Sequence, residues 1–560
     1  MNNGFEEDVI QEELQDTESE RAKGQMLKGS AWMTVGSILS RILGALYIIP
    51  WRLILGASLF PLANSLYTQG YNIYSFALIV AVAGIPSAIS KQVAHYNALN
   101  EYGVGVQIYK KGLSLAILMG IISALILWVA APILTNGDKN VIPVIHSLAW
   151  AVLVIPTMSL TRGFFQGYNN MAPSAISQFV EQLARVIYML LSAFLVLKVM
   201  HGSWVTAVSQ STFAACIGAI FGFLVLVWFY WKNRNYYQGL IKNSNNKLSV
   251  PTNQLYCEII SQATPFIILG AGVTIFSLID QFTFFHIMRF ATNFSEEVLQ
   301  INYAIFAGNA NKLTMIVVSL ASSIGVTVVP LLSEAFTKKN KKALKDSFSN
   351  ALVLFEFVMI PASLGMAAIA GPLNRTFYGT ANMDFSSNVL AFSSIESIPI
   401  GLFVVVAAIM QGVSQNKKAV KLFAYGTLAK FVTQYPLVYL FGAFGTLMST
   451  MIGFFLATWL MIRALKHEFG IEKNMLQYES IQIIFYSIVM YFVALVSVYG
   501  LNWFFSLFTT PFSSIISLIV TGLASIFGAI VYAYFMLKTG LAEQVLGKRV
   551  GRLKAKFNIK

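Results

Sequence analysis

Charge is what this sequence has least of. Only 11% of its 560 residues are Asp, Glu, Lys or Arg, where a soluble domain carries about 25%. Cysteine is scarcer still: Cys216 and Cys257 are the whole complement, which excludes a disulfide framework and a thiolate metal site. The five histidines are scattered, and no HExxH pair, P-loop or Cys ligand set appears, so neither a metal enzyme nor an ATPase is indicated and no cofactor is expected. What fills the space is apolar: 56% hydrophobic residues and a mean hydropathy of +0.67. The chain reads as an all-α polytopic membrane protein with no soluble domain. Its partners are then a lipid bilayer and whatever crosses it, with no nucleic acid.

Residues 1–28 hold eight acids and no sustained apolar face, which predicts an acidic, disordered cytoplasmic tail. No cleavable signal peptide is visible. Apolar runs long enough to span a bilayer follow at 29–56, 62–90, 110–133, 141–165, 172–198, 203–231, 254–285, 300–333, 347–371, 385–412, 418–442, 444–465, 479–501 and 511–537, about fourteen helices. With the N-terminus inside, the cytoplasmic segments carry 29 Lys and Arg against 4 outside. That bias places both termini in the cytoplasm. Arg162 is counted in a cytoplasmic loop, and Arg289 and Arg375 in outer ones.

Five cations fall inside the spans: Arg41, Arg52, Arg185, Lys312 and Lys430. Charge at membrane depth is costly and marks function by default. Arg41 and Arg52 lie in "SRILGALYIIPWRLILG", eleven residues apart and so on one helical face. Arg52, beside Trp51, can alternatively snorkel to the interface. Acids in apolar surroundings are Glu181, Asp280, Glu356 and Glu396. Glu181 precedes Arg185 by four residues, the favourable order for an intrahelical pair. Lys430 has no acid at either i±4 position and needs a partner elsewhere or water. Together the five cations are candidate ligands of an anionic substrate, with Glu181, Asp280 and Glu396 as cavity acids or ion-pair partners.

The sequence also repeats itself. "QGYNNMAPSAISQFVEQLARV" from Gln166 and "QGVSQNKKAVKLFAYGTLAKF" from Gln411 are 245 residues apart, and each places a cation 19 residues on, Arg185 and Lys430. Pro86 and Pro330 repeat at 244. The expected organisation is a six-helix bundle over 29–231, a cytoplasmic linker at 232–253, a second bundle over 254–466, two further helices over 479–537 and a basic tail at 538–560. An even number of helices per repeat makes the repeat parallel, as in transporters that hold substrate between their halves.

The fourteen spans, the repeat and the "SRILG" of the first helix resemble the multidrug/oligosaccharidyl-lipid/polysaccharide exporter superfamily, with its MATE-like fold. Within it the chain resembles the MurJ/YtgP/SpoVB group of lipid II flippases, most of all the YtgP branch. The group's first-helix arginine matches Arg41. Its eighth-helix cation matches Lys312 in "NKLTMIVVSLASSIGVTVVPLLSEA", where Asn311 replaces an acid. A second first-helix cation of the group falls on Tyr47, a departure that leaves Arg52 as a candidate substitute. The resemblance implies a V-shaped cationic cavity, alternating access, dependence on membrane potential and a polyprenyl-diphosphate-linked cell-wall precursor as cargo, with other cell-wall synthesis proteins as possible partners. A flippase for a capsule, teichoic or O-unit saccharide fits the same residues, and a cation-coupled drug exporter fits them less well.

Overall fold

The structure, a computed structural model, describes residues 40, 43–82, 85–135, 137–168, 170–244, 267–379, 382–470, 477–508 and 514–546. Every element among them is helical. This is what a bilayer imposes, since a helix satisfies its own backbone polar groups. Eleven stretches among the described residues are long and apolar enough to cross a membrane. Length and composition do not by themselves give the expected fourteen. Two further long helices, α8 (Gly272–Ala291) and α14 (Asn416–Phe441), fall short of that apolarity because they carry Asp280, Gln281 and Arg289 in one and Lys430 and Gln434 in the other.

The first helix, α1 (Ile48–Val82), follows a short helical turn at 43–46 and is broken at Gly56, whose φ of 81° lies in the left-handed region that favours glycine. The expected first two spans therefore form one broken rod, and the second ends at Val82, before the separate helix α2 (Ile85–Ala98). Next come α3 (Tyr102–Ala130), α4 (Val141–Gly167), α5 (Ala172–Phe194), α6 (Trp204–Lys232) and a short α7 (Arg234–Lys242). The expected linker is thus helical over α7; residues 245–266 lie outside the described residues, as do the acidic tail and the basic residues beyond 546. After α8 come α9 (Glu296–Tyr303), a π-helical segment at Ala304–Ala310, and α10 (Asn311–Thr337). Then α11 (Lys341–Ala368), a short α12 (Ala370–Tyr378), α13 (Met383–Gly412), α14 and α15 (Ala443–Phe469) follow. The chain closes with α16 (Gln477–Ser506), α17 (Ser514–Lys538) and α18 (Leu541–Leu546).

Two compact units result. One comprises 73–267 with the residues up to Tyr47; the other comprises 268–560 together with Ile48–Asn72. The second unit has a contiguous apolar core, built from Phe276 of α8, Phe355 and Met359 of α11, Phe403 of α13, Phe423 of α14 and Phe454 of α15.

Small residues set the closest helix crossings, as expected where lipid offers helices no hydrophobic drive to associate. In the first unit, Gly218 and Gly222 of α6 face α5. A Cβ on Gly218 would come 2.6 Å from the Glu181 carbonyl oxygen, and one on Gly222 3.1 Å from the Glu181 Cβ. In the second, Gly426 of α14 and Gly453 of α15 face each other, and a Cβ on Gly453 would lie 2.9 Å from that of Lys430. One glycine crossing in each unit therefore sits at one of the two similar charged stretches.

Candidate functional site

Polar residues on α1 begin the site. Asn64, Thr68 and Asn72 recur at i, i+4 and i+8, with Ser65 and Gln69 beside them, making one polar face on an apolar helix. Asn64 and Ser65 are fully buried. That face meets the π-helical segment in the same unit. Asn64 Nδ2 donates to Asn309 Oδ1 at 2.7 Å, and Lys312 Nζ donates to Asn64 Oδ1 at 2.8 Å. The Lys312 ammonium also sits 4.5 Å from the centre of the Tyr67 ring, a cation–π contact. Below this, Gln69 Nε2 donates to Gln300 Oε1 at 3.0 Å, Asn72 Nδ2 to Gln281 Oε1 at 3.2 Å, and Tyr303 Oη to Gln281 Oε1 at 3.1 Å. A π segment adds a residue to the helical repeat and re-aims the side chains around it. Here it brings the small Gly308 against Asn64, where a Cβ would lie 2.7 Å from Asn64 Nδ2.

Two of these contacts join residues 245 apart in sequence: Asn64 with Asn309, and Tyr67 with Lys312. That is also the offset between the two similar sequence stretches that begin at Gln166 and Gln411.

Lys430 lies elsewhere in this unit. Expected to need a distant partner or water, it is fully buried and donates to Asp280 Oδ1 at 2.6 Å and Thr450 Oγ1 at 2.5 Å, with Ser449 Oγ at 3.5 Å. Gln434 Nε2 donates to the same Asp280 oxygen at 3.0 Å. Asp280 and Glu396 line a small cavity of about 40 Å³ with Asn311, Thr314, Ser393 and Thr450, large enough for water. The structure therefore brings Lys430, Asp280 and Glu396 together. Lys312 is not among the residues lining that cavity.

In the first unit, Arg185 Nη2 donates to Glu181 Oε1 at 3.1 Å, the expected intrahelical pair. A second cation shares the acid: Arg162 Nη2 donates to Glu181 Oε2 at 2.8 Å and to Ser177 Oγ at 2.8 Å. Arg162 is thus inside α4 rather than in a cytoplasmic loop, because Glu181 and Ser177 supply partners that make its position inside a span tenable. Ser40 Oγ donates to the Gln178 carbonyl at 3.2 Å, which places the start of "SRILG" on α5; Arg41 itself lies outside the described residues. Arg52 belongs to the second unit. It is half-buried next to the fully buried Trp51, and its guanidinium packs so closely on Gly379 that a Cβ there would collide with Nη1. Tyr47, on the missing cation's position, is buried. Arg375, expected in an outer loop, lies on α12, and Arg289 pairs with Glu296 on exposed surface.

Comparison with known proteins decides the family. A family model described as polysaccharide biosynthesis protein matches residues 26–336. The lipid II flippase MurJ of Bacillus subtilis is 33% identical over 540 residues, 94% of this chain and 97% of its own. The chain belongs to the MurJ group of this family. A second Bacillus subtilis relative, the membrane protein YabM, is 27% identical over 80% of this chain and 81% of its own. Among solved structures, the lipid II flippase MurJ in an inward closed conformation has a TM-score of 0.58 at 13% identity, covering 92% of this chain and 99% of that one. An inward-facing MATE family transporter of the MOP superfamily also has a TM-score of 0.58 at 13% identity, covering 76% and 98%. These place the fold among the MATE-like exporters and make this a multi-pass membrane protein.

The sequence reading missed Asn64, Asn309 and Arg162. The signal for Asn64 was available: an i, i+4, i+8 amide-and-hydroxyl face on a helix otherwise apolar.

Proposed function

We propose that this chain is a flippase, a transporter and not an enzyme, which moves a polyprenyl-diphosphate-linked cell-wall precursor, lipid II, from the inner to the outer leaflet of the plasma membrane by alternating access. Both termini are cytoplasmic in this reading, in line with the charge bias of the loops. The observation that carries it is Lys312, a half-buried cation held by uncharged Asn64 and Tyr67 in a chain of the MurJ group. An ammonium supplies charged N–H donors, and diphosphate oxygens are acceptors for such donors. Arg41 and Arg52 are the arginines we assign to the same anion, suited to it by their planar donor forks. Arg185 and Lys430 would reach substrate only if their pairs with Glu181 and Asp280 opened.

The test is depletion of the chain in living cells while lipid-linked precursors on the inner leaflet are identified. Lipid II accumulation is the expected result. Accumulation of a different polyprenyl-linked saccharide would move the assignment to a capsule, teichoic or O-unit flippase. With expression checked, Lys312→Ala and Arg41→Ala abolish complementation, Arg41→Lys restores it in part, and Lys312→Arg is tolerated. Full complementation by both alanine variants overturns the cationic site.

A further inference from the structure

Asn64 is tied down on every side. Its Oδ1 accepts from Lys312 Nζ, its Nδ2 donates to Asn309 Oδ1, and its backbone carbonyl accepts from Thr68 Oγ1 at 2.7 Å. Asn309 is fixed in turn, its carbonyl accepting from Tyr378 Oη at 2.9 Å. The amide orientation follows from this network: the nitrogen faces Asn309, so the oxygen faces the ammonium. Gly308 leaves the space that lets Asn64 fit, since any side chain there would press on Asn64 Nδ2. A fully buried amide with both ends used, one of them on a lysine, is a costly arrangement to assemble unless its position matters.

We propose that Asn64 is a positioning residue for Lys312: it orients the ammonium through a neutral oxygen that adds no negative charge to the anion site. This rests on Lys312 being a diphosphate ligand. An aspartate would give Lys312 an equally well-placed oxygen, and Asn309 could turn its amide to donate to it. Packing and hydrogen bonding would be kept. The carboxylate would, however, add a negative charge beside the ammonium and repel an incoming anion. An alanine removes the hydrogen bond and adds no charge.

The two substitutions therefore rank in opposite orders under the two roles. If Asn64 is only structural, Asn64→Ala is the worse change and Asn64→Asp the milder one. If Asn64 positions an anion-binding cation, Asn64→Asp is worse. The measurement is binding of undecaprenyl diphosphate to the purified full chain in nanodiscs, alongside complementation and melting temperature. We expect Asn64→Asp to weaken binding at least about tenfold and abolish complementation with no fall in melting temperature, and Asn64→Ala to weaken binding only about two- to fivefold. Asn64→Ala binding as weakly as Asn64→Asp, or more weakly, overturns the proposal. Should Asn64→Asp fail to accumulate folded, Asn309→Asp places the same charge one hydrogen bond further away, with Asn309→Ala as its uncharged counterpart, and the same order decides. Failure of the underlying reading looks different: Lys312→Ala and Lys312→Gln would then bind undecaprenyl diphosphate as the wild type does, whatever Asn64 does.

Discussion

The repeat-related cations Arg185 and Lys430 sit in clusters of opposite charge. Around Arg185, two cations share one acid: Arg162 and Arg185 on Glu181, a formal +1. Around Lys430, one cation faces two acids, Asp280 in direct contact and Glu396 in the adjoining cavity, a formal −1. Both clusters lie where glycines bring two helices close together. Exposure separates them further: the Glu181 side chain and its two arginines are 12–19% exposed, whereas the Lys430 side chain is fully buried. The comparison teaches that two helix pairs can share a close glycine crossing while their electrostatics differ. The glycine crossing is what the bilayer demands of both copies. The charge is free to differ as long as each ion finds a counter-ion.

The first way to break this comparison is to remove the fully buried counter-ion, Lys430. Lys430→Met keeps the volume but leaves Asp280 and Glu396 without a cation. Losing one partner of a buried pair costs about 3–5 kcal/mol, so the protein should melt well below wild type in detergent and accumulate poorly. Adding Asp280→Asn to Lys430→Met should restore most of the stability. If the double variant is no better than the single one, Lys430 stabilises by packing and not by pairing.

The wetter cluster should respond less. Glu181→Gln leaves Arg162 and Arg185 facing each other, but both reach solvent and Ser177 still accepts from Arg162. A loss of about 1–3 kcal/mol is expected, the range for leaving a partly buried polar group unsatisfied. Thermal unfolding of the two variants side by side tests the ranking. Glu181→Gln costing as much as Lys430→Met would mean that the sign of the cluster, not its burial, sets the cost.

How much of this was legible in the sequence follows from range. Glu181 and Arg185 are four residues apart on one helix, and their pairing could be read directly. Asp280 and Lys430 are 150 residues apart, so the sequence could say that Lys430 needs a partner but not which one. Arg162 was misplaced because it falls near the end of an apolar run, where a loop cation and a buried one look alike without a view of the neighbouring helix. Most long helices were legible because a run of about twenty apolar residues has one stable outcome in lipid. The break at Gly56 and the π segment at Ala304–Ala310 were not, since a lone glycine in an apolar run does not mark a break and a π segment has no sequence signature of its own. Asn64 was legible in part: its polar face could be read on α1, but its partners Asn309 and Lys312, more than 200 residues away, could not.

The smallest effect is expected at a third ion pair, which serves as the exposed reference for the other two. Arg289 grips Glu296 with both arms, Nε to Oε1 at 2.6 Å and Nη2 to Oε2 at 3.0 Å. By geometry alone it is at least the equal of the pair at Lys430. Its side chains are 43% and 60% exposed, so water solvates either charge when the other is gone. Glu296→Gln should therefore cost no more than about 1 kcal/mol. That small loss should shrink further as added salt shortens the screening length to a few ångströms, about 3 Å at 1 M. Melting curves of wild type and Glu296→Gln at low and high ionic strength give the answer. A loss approaching that of Lys430→Met, or one insensitive to salt, would show that hydrogen-bond geometry rather than burial decides what an ion pair is worth in this protein, and the contrast between its two buried clusters would need a different cause.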